Sequence, residues 1–237
     1  MADMMKTGVR VWDWPTRAFH WLLVATILCA WLSHRYGAKM GDPTLIWHRW
    51  NGYAILVLVV FRLFWGFVGS STSRFSRFVH GPVFVLGYAR DFISGNKRHF
   101  LGHNPLGTLM VLVLLATVLA QGVLGLFTLE HNEIVAGPLK RLLTDEMTEK
   151  VSKLHVRGLN YLIVLVAIHV LANAAYGFLA KDPLIKAMVT GRKPAADYED
   201  EREARIPSNI TLRAFLTLAA AIAVVFGGIM LAGGRIF

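Results

Sequence analysis

One cysteine in 237 residues, Cys29, removes several chemistries at once. A single thiol closes no internal disulfide, builds no paired-cysteine zinc knuckle and cannot supply the CxxCH motif that fastens a c-type haem covalently. Charge is scarce as well: 17% of residues are Asp, Glu, Lys or Arg, against about 25% in an average soluble domain. The charge present leans one way, with 25 Lys and Arg against 15 Asp and Glu, a formal net charge of +10. These cations flank apolar runs and do not interleave with aromatics on a soluble face. That excludes nucleic acid as a partner and points to anionic lipid headgroups as counter-charge. Acidic residues are missing from all the long apolar stretches. Their absence weighs against a histidine-lined transition-metal transporter, whose pathway wants carboxylates.

What is there is hydrocarbon: 55% of residues are hydrophobic and the mean hydropathy is +0.49. A helix needs about 20 apolar residues to cross a bilayer. Residues 18–34 form a charge-free run of 17, residues 99–129 one of 31, residues 158–180 one of 23 and residues 214–234 one of 21. Between Arg49 and Arg74 only Arg62 intervenes. The expected fold is an all-α integral membrane protein with spans near 17–35, 49–68, 105–129, 156–180 and 213–234. The first span follows Arg17 as a signal peptide would. It has no A-x-A site, and Leu28 is too bulky before Cys29 for lipoprotein processing, so a retained anchor is expected. With the N-terminus inside, the inner segments carry 15 Lys and Arg, beginning with Lys6, Arg10 and Arg17, and the outer segments carry 9. The bias predicts a cytoplasmic N-terminus and an external C-terminus.

The connecting segments differ in character. Residues 69–104 alternate aromatics with Arg and Lys and read as an interfacial segment at the headgroups. In residues 130–152, Leu139, Leu142, Leu143, Met147 and Val151 recur at helical spacing, which predicts a short amphipathic helix feeding the fourth span. Residues 181–213 are polar, pass through DYEDEREAR and read as a solvated connector.

Nine histidines remain to be placed. His155 and His169 lie fourteen residues apart in the fourth span, so they share a helix face at a separation of roughly 21 Å. His20 near the start of the first span and His48 at the opening of the second match them in depth. Neutral imidazole is a good iron ligand, and two trans imidazoles saturate haem iron for electron transfer. His20 with His169 and His48 with His155 would hold two haems stacked across the bilayer. A purely structural anchor needs no such matched pairs. His34 also lies fourteen residues from His20, and periodicity does not choose between His34 and His48. Gly52, Gly122, Gly125, Gly158 and Ala172 are small enough to admit a flat macrocycle or close helix packing. Arg17, Arg49 and Arg157 are candidate partners for haem propionates, and Arg62 is placed to face a propionate, a quinone or headgroups. His80, His99, His103 and His131 are expected in solvated or interfacial positions.

VWDWPTRAFHWLLV, IWHRWNGY, FRLFWGFVG, FVHGP, FLGHNPLG and AMVTGRKP, together with the spaced pair in the fourth span, resemble the bacterial cytochrome b561 and nickel-hydrogenase b-type cytochrome family over about residues 9–194. The resemblance implies a four-helix transmembrane haem-binding bundle with two non-covalent haem b groups. It implies electron exchange between quinone or quinol and a redox protein such as a hydrogenase or c-type cytochrome, in the bacterial inner membrane. It also assigns His48, rather than His34, as the outer partner of His155. The expected organisation is a cytochrome core over 1–194 and, over 195–237, a polar connector with a fifth C-terminal transmembrane helix. A homo-oligomer is compatible with it.

Overall fold

The computed structural model describes residues 8–42, 44–96, 98–130, 135–179 and 181–236. Lys6, Lys97 and the histidine expected at a solvated site, His131, lie outside them. The helices are α1 (Trp14–Tyr36), α2 (Ile46–Val68), α3 (Phe75–Phe78), α4 (Pro82–Ile93), α5 (Pro105–Gly125), α6 (Asp145–Leu179), α7 (Leu184–Thr190) and α8 (Ile210–Leu231). Five of them, α1, α2, α5, α6 and α8, are long and apolar enough to cross a membrane. They are the five spans read from the charge-free runs. Two short antiparallel pairs join β1 (Val9–Arg10) to β4 (Arg192–Lys193) and β2 (Leu129–Glu130) to β3 (Val135–Ala136).

The helix ends follow local chemistry that hydropathy does not see. Asp13 accepts the Thr16 N–H at 2.7 Å and so caps α1 three residues in. Asp42 receives the Ile46 and Trp47 N–H groups at 2.9 and 2.8 Å and opens α2 before the span begins. Asn104 accepts the Gly107 N–H at 2.8 Å, with Pro105 in the first helical position of α5. Thr144 accepts from Met147 at 3.3 Å, and Asp145 and Glu146 follow where the helix dipole favours negative charge.

The chain divides into two units. The first comprises described residues 8–18, 63–113 and 166–215. Its apolar cluster joins Val11 and Trp12 to Leu101 and Ala187. Asp13 is 2% exposed there and collects Trp65 Nε1 at 3.2 Å, Ser70 N–H at 3.2 Å, Ser70 Oγ at 2.5 Å and Ser73 Oγ at 3.0 Å in addition to its cap. A buried carboxylate with this many donors locks the start of α1 to the end of α2. Asp13→Ala is expected to cost ~3–5 kcal/mol by leaving those donors unpaired. Denaturant unfolding of the detergent-solubilised protein, followed by circular dichroism, measures it; a loss below ~1 kcal/mol would remove Asp13 from this role.

The polar stretch after Lys181, expected as a solvated connector, keeps most of its side chains exposed and is pinned by a few specific contacts. Gly191 takes φ +78° and brings its carbonyl to the Val11 and Trp12 N–H groups; a Cβ there would stand 2.9 Å from the Trp12 carbonyl oxygen. Lys193 is 1% exposed, donating to the Phe100 carbonyl at 3.1 Å and to Asp182 at 3.0 Å. Burial pushes its ammonium below the usual lysine value, with Asp182 opposing the shift. Asp200 accepts the Leu101 and Gly102 N–H groups at 2.6 and 3.0 Å, and Ser71 and Arg205 exchange two hydrogen bonds. The segment is therefore a clasp over residues 69–104. Most of its side chains face water, and Lys193, Asp200 and Ser71–Arg205 supply the contacts that hold it there. Within 69–104, α4 exposes Val83, Leu86 and Ile93, as an element lying at a headgroup interface would.

The second unit comprises described residues 19–62, 114–165 and 216–236. Small residues set its helix contacts: a Cβ on Gly122 would stand 2.7 Å from Leu56, and one on Gly158 2.2 Å from Gln121. Phe226 of α8 lies 6.5 Å from Trp50 and 5.6 Å from Tyr53 between ring centroids, which gives the fifth span a seat on α2. The expected amphipathic helix over 139–151 is absent as a separate element. Leu139 is buried, residues 140–142 form one 3₁₀ turn, Leu142 is exposed, and helix resumes at Asp145 to run without a break into the span. The Thr144 cap is the reason for the interruption.

Candidate functional site

The second unit gathers His34, His48 and His155. His48 is the third residue of α2, and its Nδ1 lies 2.9 Å from the carbonyl oxygen of Ala30 on α1. The Nδ1 of His155 on α6 lies 3.0 Å from the carbonyl oxygen of Gln121 on α5. The Gln121 side chain returns a hydrogen bond to the His155 carbonyl at 2.7 Å. A carbonyl only accepts, so each Nδ1 is the donor of its pair. This is how a ligating histidine is oriented.

The ring centroids of His48 and His155 are 6.2 Å apart with planes at 85°. Metal–imidazole bonds of about 2.0–2.1 Å, with each centroid about 1.1 Å behind its nitrogen, put two trans imidazoles roughly 6 Å apart. A Cβ on Gly52, one turn beyond His48, would meet nothing within 4 Å, so the helix leaves open space there. At Gly125 the reason for glycine differs: a Cβ would stand 3.1 Å from His155 Cε1, and its absence lets α5 approach the imidazole. His34, at the exposed end of α1, is 5.3 Å from His48 with planes at 57°.

The other sequence candidates are placed as follows. His20 is a half-buried residue of the second unit, edge-on to Trp21 at 4.9 Å. His169 belongs to the first unit, where the Asn173 amide donates to its carbonyl at 2.7 Å and lies 3.3 Å from its Nε2. Arg17 donates to the Val189 carbonyl at 2.7 Å, while its buried Nε has no hydrogen-bond partner among the described residues. Arg49 is half-buried, Arg157 exposed and Arg62 3% exposed. His103 is held between Trp12 and Phe78 at 4.7 and 4.6 Å. His99 helps line a small cavity, of about 10 Å³, with Tyr88, Asn104 and Tyr176. Among the described residues, no group of three or more His, Cys, Asp or Glu side chains could hold a bare metal ion. Paired axial imidazoles suit a metal already held in a macrocycle.

A family model described as Prokaryotic cytochrome b561 matches residues 11–191. The chain belongs to this family. The cytochrome is 25% identical over 215 residues to the "Probable Ni/Fe-hydrogenase B-type cytochrome subunit" of Azotobacter chroococcum mcd 1, covering 78% of this chain and 88% of that one. It is 24% identical to the protein of the same description from Azotobacter vinelandii, with the same coverage, and 20% identical to that from Rhodobacter capsulatus, covering 81% and 84%. No solved structure matches the chain. Family membership makes the cytochrome a multi-pass membrane protein of b-type haem and electron transfer, and the family fold is a four-helix haem bundle. The donor chemistry at His48 and His155 fits such a haem: two imidazoles from different helices, each oriented through Nδ1 by a backbone carbonyl.

Sequence reasoning missed two features of the cytochrome. Asp13 offered no signal beyond a lone acid ahead of a span. A cavity of about 280 Å³ lined by Arg77, Phe78, His80, Phe84, Arg98 and Phe100, among others, is assembled from residues 69–104 and the clasp. His80 stacks on Phe84 there at 4.4 Å, and its buried Nδ1 has no hydrogen-bond partner among the described residues.

Proposed function

We propose that the cytochrome carries two non-covalent haem b groups, one on His48 and His155 and one on His20 and His169. It passes electrons across the bacterial inner membrane between a quinone pool and a redox partner protein. The observation that carries this reading is the matched anchoring of His48 and His155 by backbone carbonyls, at a separation suited to axial ligands of one iron. Each haem supplies a reversible one-electron iron couple. Ligation by two imidazoles would leave no open position for oxygen at the iron, which favours electron transfer over catalysis there.

Arg17, Arg49 and Arg157 are assigned to the propionates, which need cations at the membrane edges. The relatives' printed descriptions favour a hydrogenase as the partner; a c-type cytochrome would serve the same chemistry. The Lys and Arg bias favours a cytoplasmic N-terminus and a periplasmic C-terminus. For quinone, the 280 Å³ cavity offers aromatic walls at Phe78, Phe84 and Phe100 and an imidazole at His80 able to exchange a proton with a ring oxygen.

Acid-acetone extraction followed by a pyridine haemochrome assay tests the proposal. The expected result is two haems per chain, all extracted, with reduced α and Soret bands of b type. A ratio near one, or haem left on the polypeptide, would overturn it.

A further inference from the structure

We infer that the cavity of about 280 Å³ in the first unit holds the phosphate of a phospholipid headgroup, with Arg77 and His80 as its donors. A quinone ring would use the aromatic walls of this cavity and has no need of the charge beside them; the headgroup site stands without the quinone reading. Six charged side chains line the cavity, and five of them are answered within the protein. Arg98 donates to Glu199 at 3.1 Å. Arg205 lies 3.8 Å from Glu201, which also accepts from Ser71 Oγ at 2.9 Å. Asp200 spends its charge on the Leu101 and Gly102 N–H groups. Arg77 is the sixth, and its side chain has no hydrogen bond or ion pair among the described residues.

Two further donors stand beside it. The Nδ1 of His80 is buried with no hydrogen-bond partner among the described residues, and stacking on Phe84 at 4.4 Å and 20° holds the ring in place. Directly after His80, α4 begins at Gly81 with no side-chain cap and with Pro82 in its first turn, so the positive end of a twelve-residue helix lies next to the imidazole. A phosphate diester carries acceptors and no donor, and the arginine fork grips two of its oxygens. The position of the cavity selects a lipid as the source of that phosphate. Residues 69–104 run from the end of α2 to the start of α5, two spans, which sets the cavity at a membrane face. Its volume lies just below the ~300–1,000 Å³ of drug-sized ligand sites, enough for a headgroup and too little for a whole lipid. The acyl chains would lie along Val83, Leu86 and Ile93, the exposed apolar residues of α4. Headgroup and quinone would then compete for one cavity.

The test uses the full haem-loaded protein, delipidated in a neutral detergent and treated with diethyl pyrocarbonate. Carbethoxylation of His80 is read by peptide mass spectrometry, with His99, which lines the separate small cavity, as the internal reference. Dioleoylphosphatidylglycerol should protect His80 several-fold and leave His99 unchanged, while dioleoylglycerol, with the same chains and no phosphate, should protect neither. Arg77→Gln should weaken the protection about tenfold, the loss of one charge-assisted contact, and Arg77→Lys should restore part of it, with circular dichroism and the haem spectrum unchanged in both. Equal protection by dioleoylglycerol, or none by any lipid, overturns the phosphate site. Protection by inorganic phosphate without protection by the phospholipid overturns the lipid source and leaves a site for a soluble phosphate. Protection by phosphatidylglycerol that is indifferent to Arg77→Gln overturns the assignment of Arg77 as its donor.

Discussion

His48→Ala is expected to halve the haem content of the purified protein, or to leave one haem high-spin, while the second haem keeps its spectrum. On the proposed ligation the variant removes one of two iron ligands, and it also removes the hydrogen bond to the Ala30 carbonyl that ties α2 to α1. His34→Ala is the control and should cost no haem. Pyridine haemochrome counts on the two variants side by side decide the matter. If His34→Ala loses the haem and His48→Ala does not, α1 and α6 alone supply the ligands.

The second large effect is electrical. Fourteen residues of helix separate His155 from His169, a rise of about 21 Å out of a hydrocarbon thickness of about 30 Å. One charge crossing the whole membrane is worth ~2.3 kcal/mol per 100 mV, so an electron moving between the two centres should feel about 1.6 kcal/mol per 100 mV, more than tenfold in the equilibrium between them. Proteoliposomes poised with a potassium diffusion potential and read by the two α bands should show that shift, reversing with the sign of the potential. A redox balance indifferent to the imposed potential would place the two haems at one depth.

The spans were legible in the sequence because bilayer thickness imposes a length rule that needs no tertiary context; α1, α2, α5, α6 and α8 fall on the charge-free runs. Their ends were not, since Asp42 and Thr144 act through one or two local hydrogen bonds that leave no periodic trace. The fourteen-residue histidine spacing pointed to a site, and it could not separate His34 from His48 because the turn after α1 brings both to the same place. The clasp was illegible for another reason. Lys193 meets Phe100 and Arg205 meets Ser71 across long stretches of chain, and a polar segment whose partners are that remote reads as solvated. Asp13 was hidden in the same way, its donors Trp65, Ser70 and Ser73 lying at the far end of the next span.

The most direct measurement is the low-temperature electron paramagnetic resonance spectrum of the oxidised wild-type protein, with spin quantitation against protein. Two low-spin ferric species, each near one spin per chain and with no high-spin signal, are the predicted result, because four imidazoles saturate two irons. A single low-spin species, or a substantial high-spin signal in undamaged protein, would contradict the paired-histidine account.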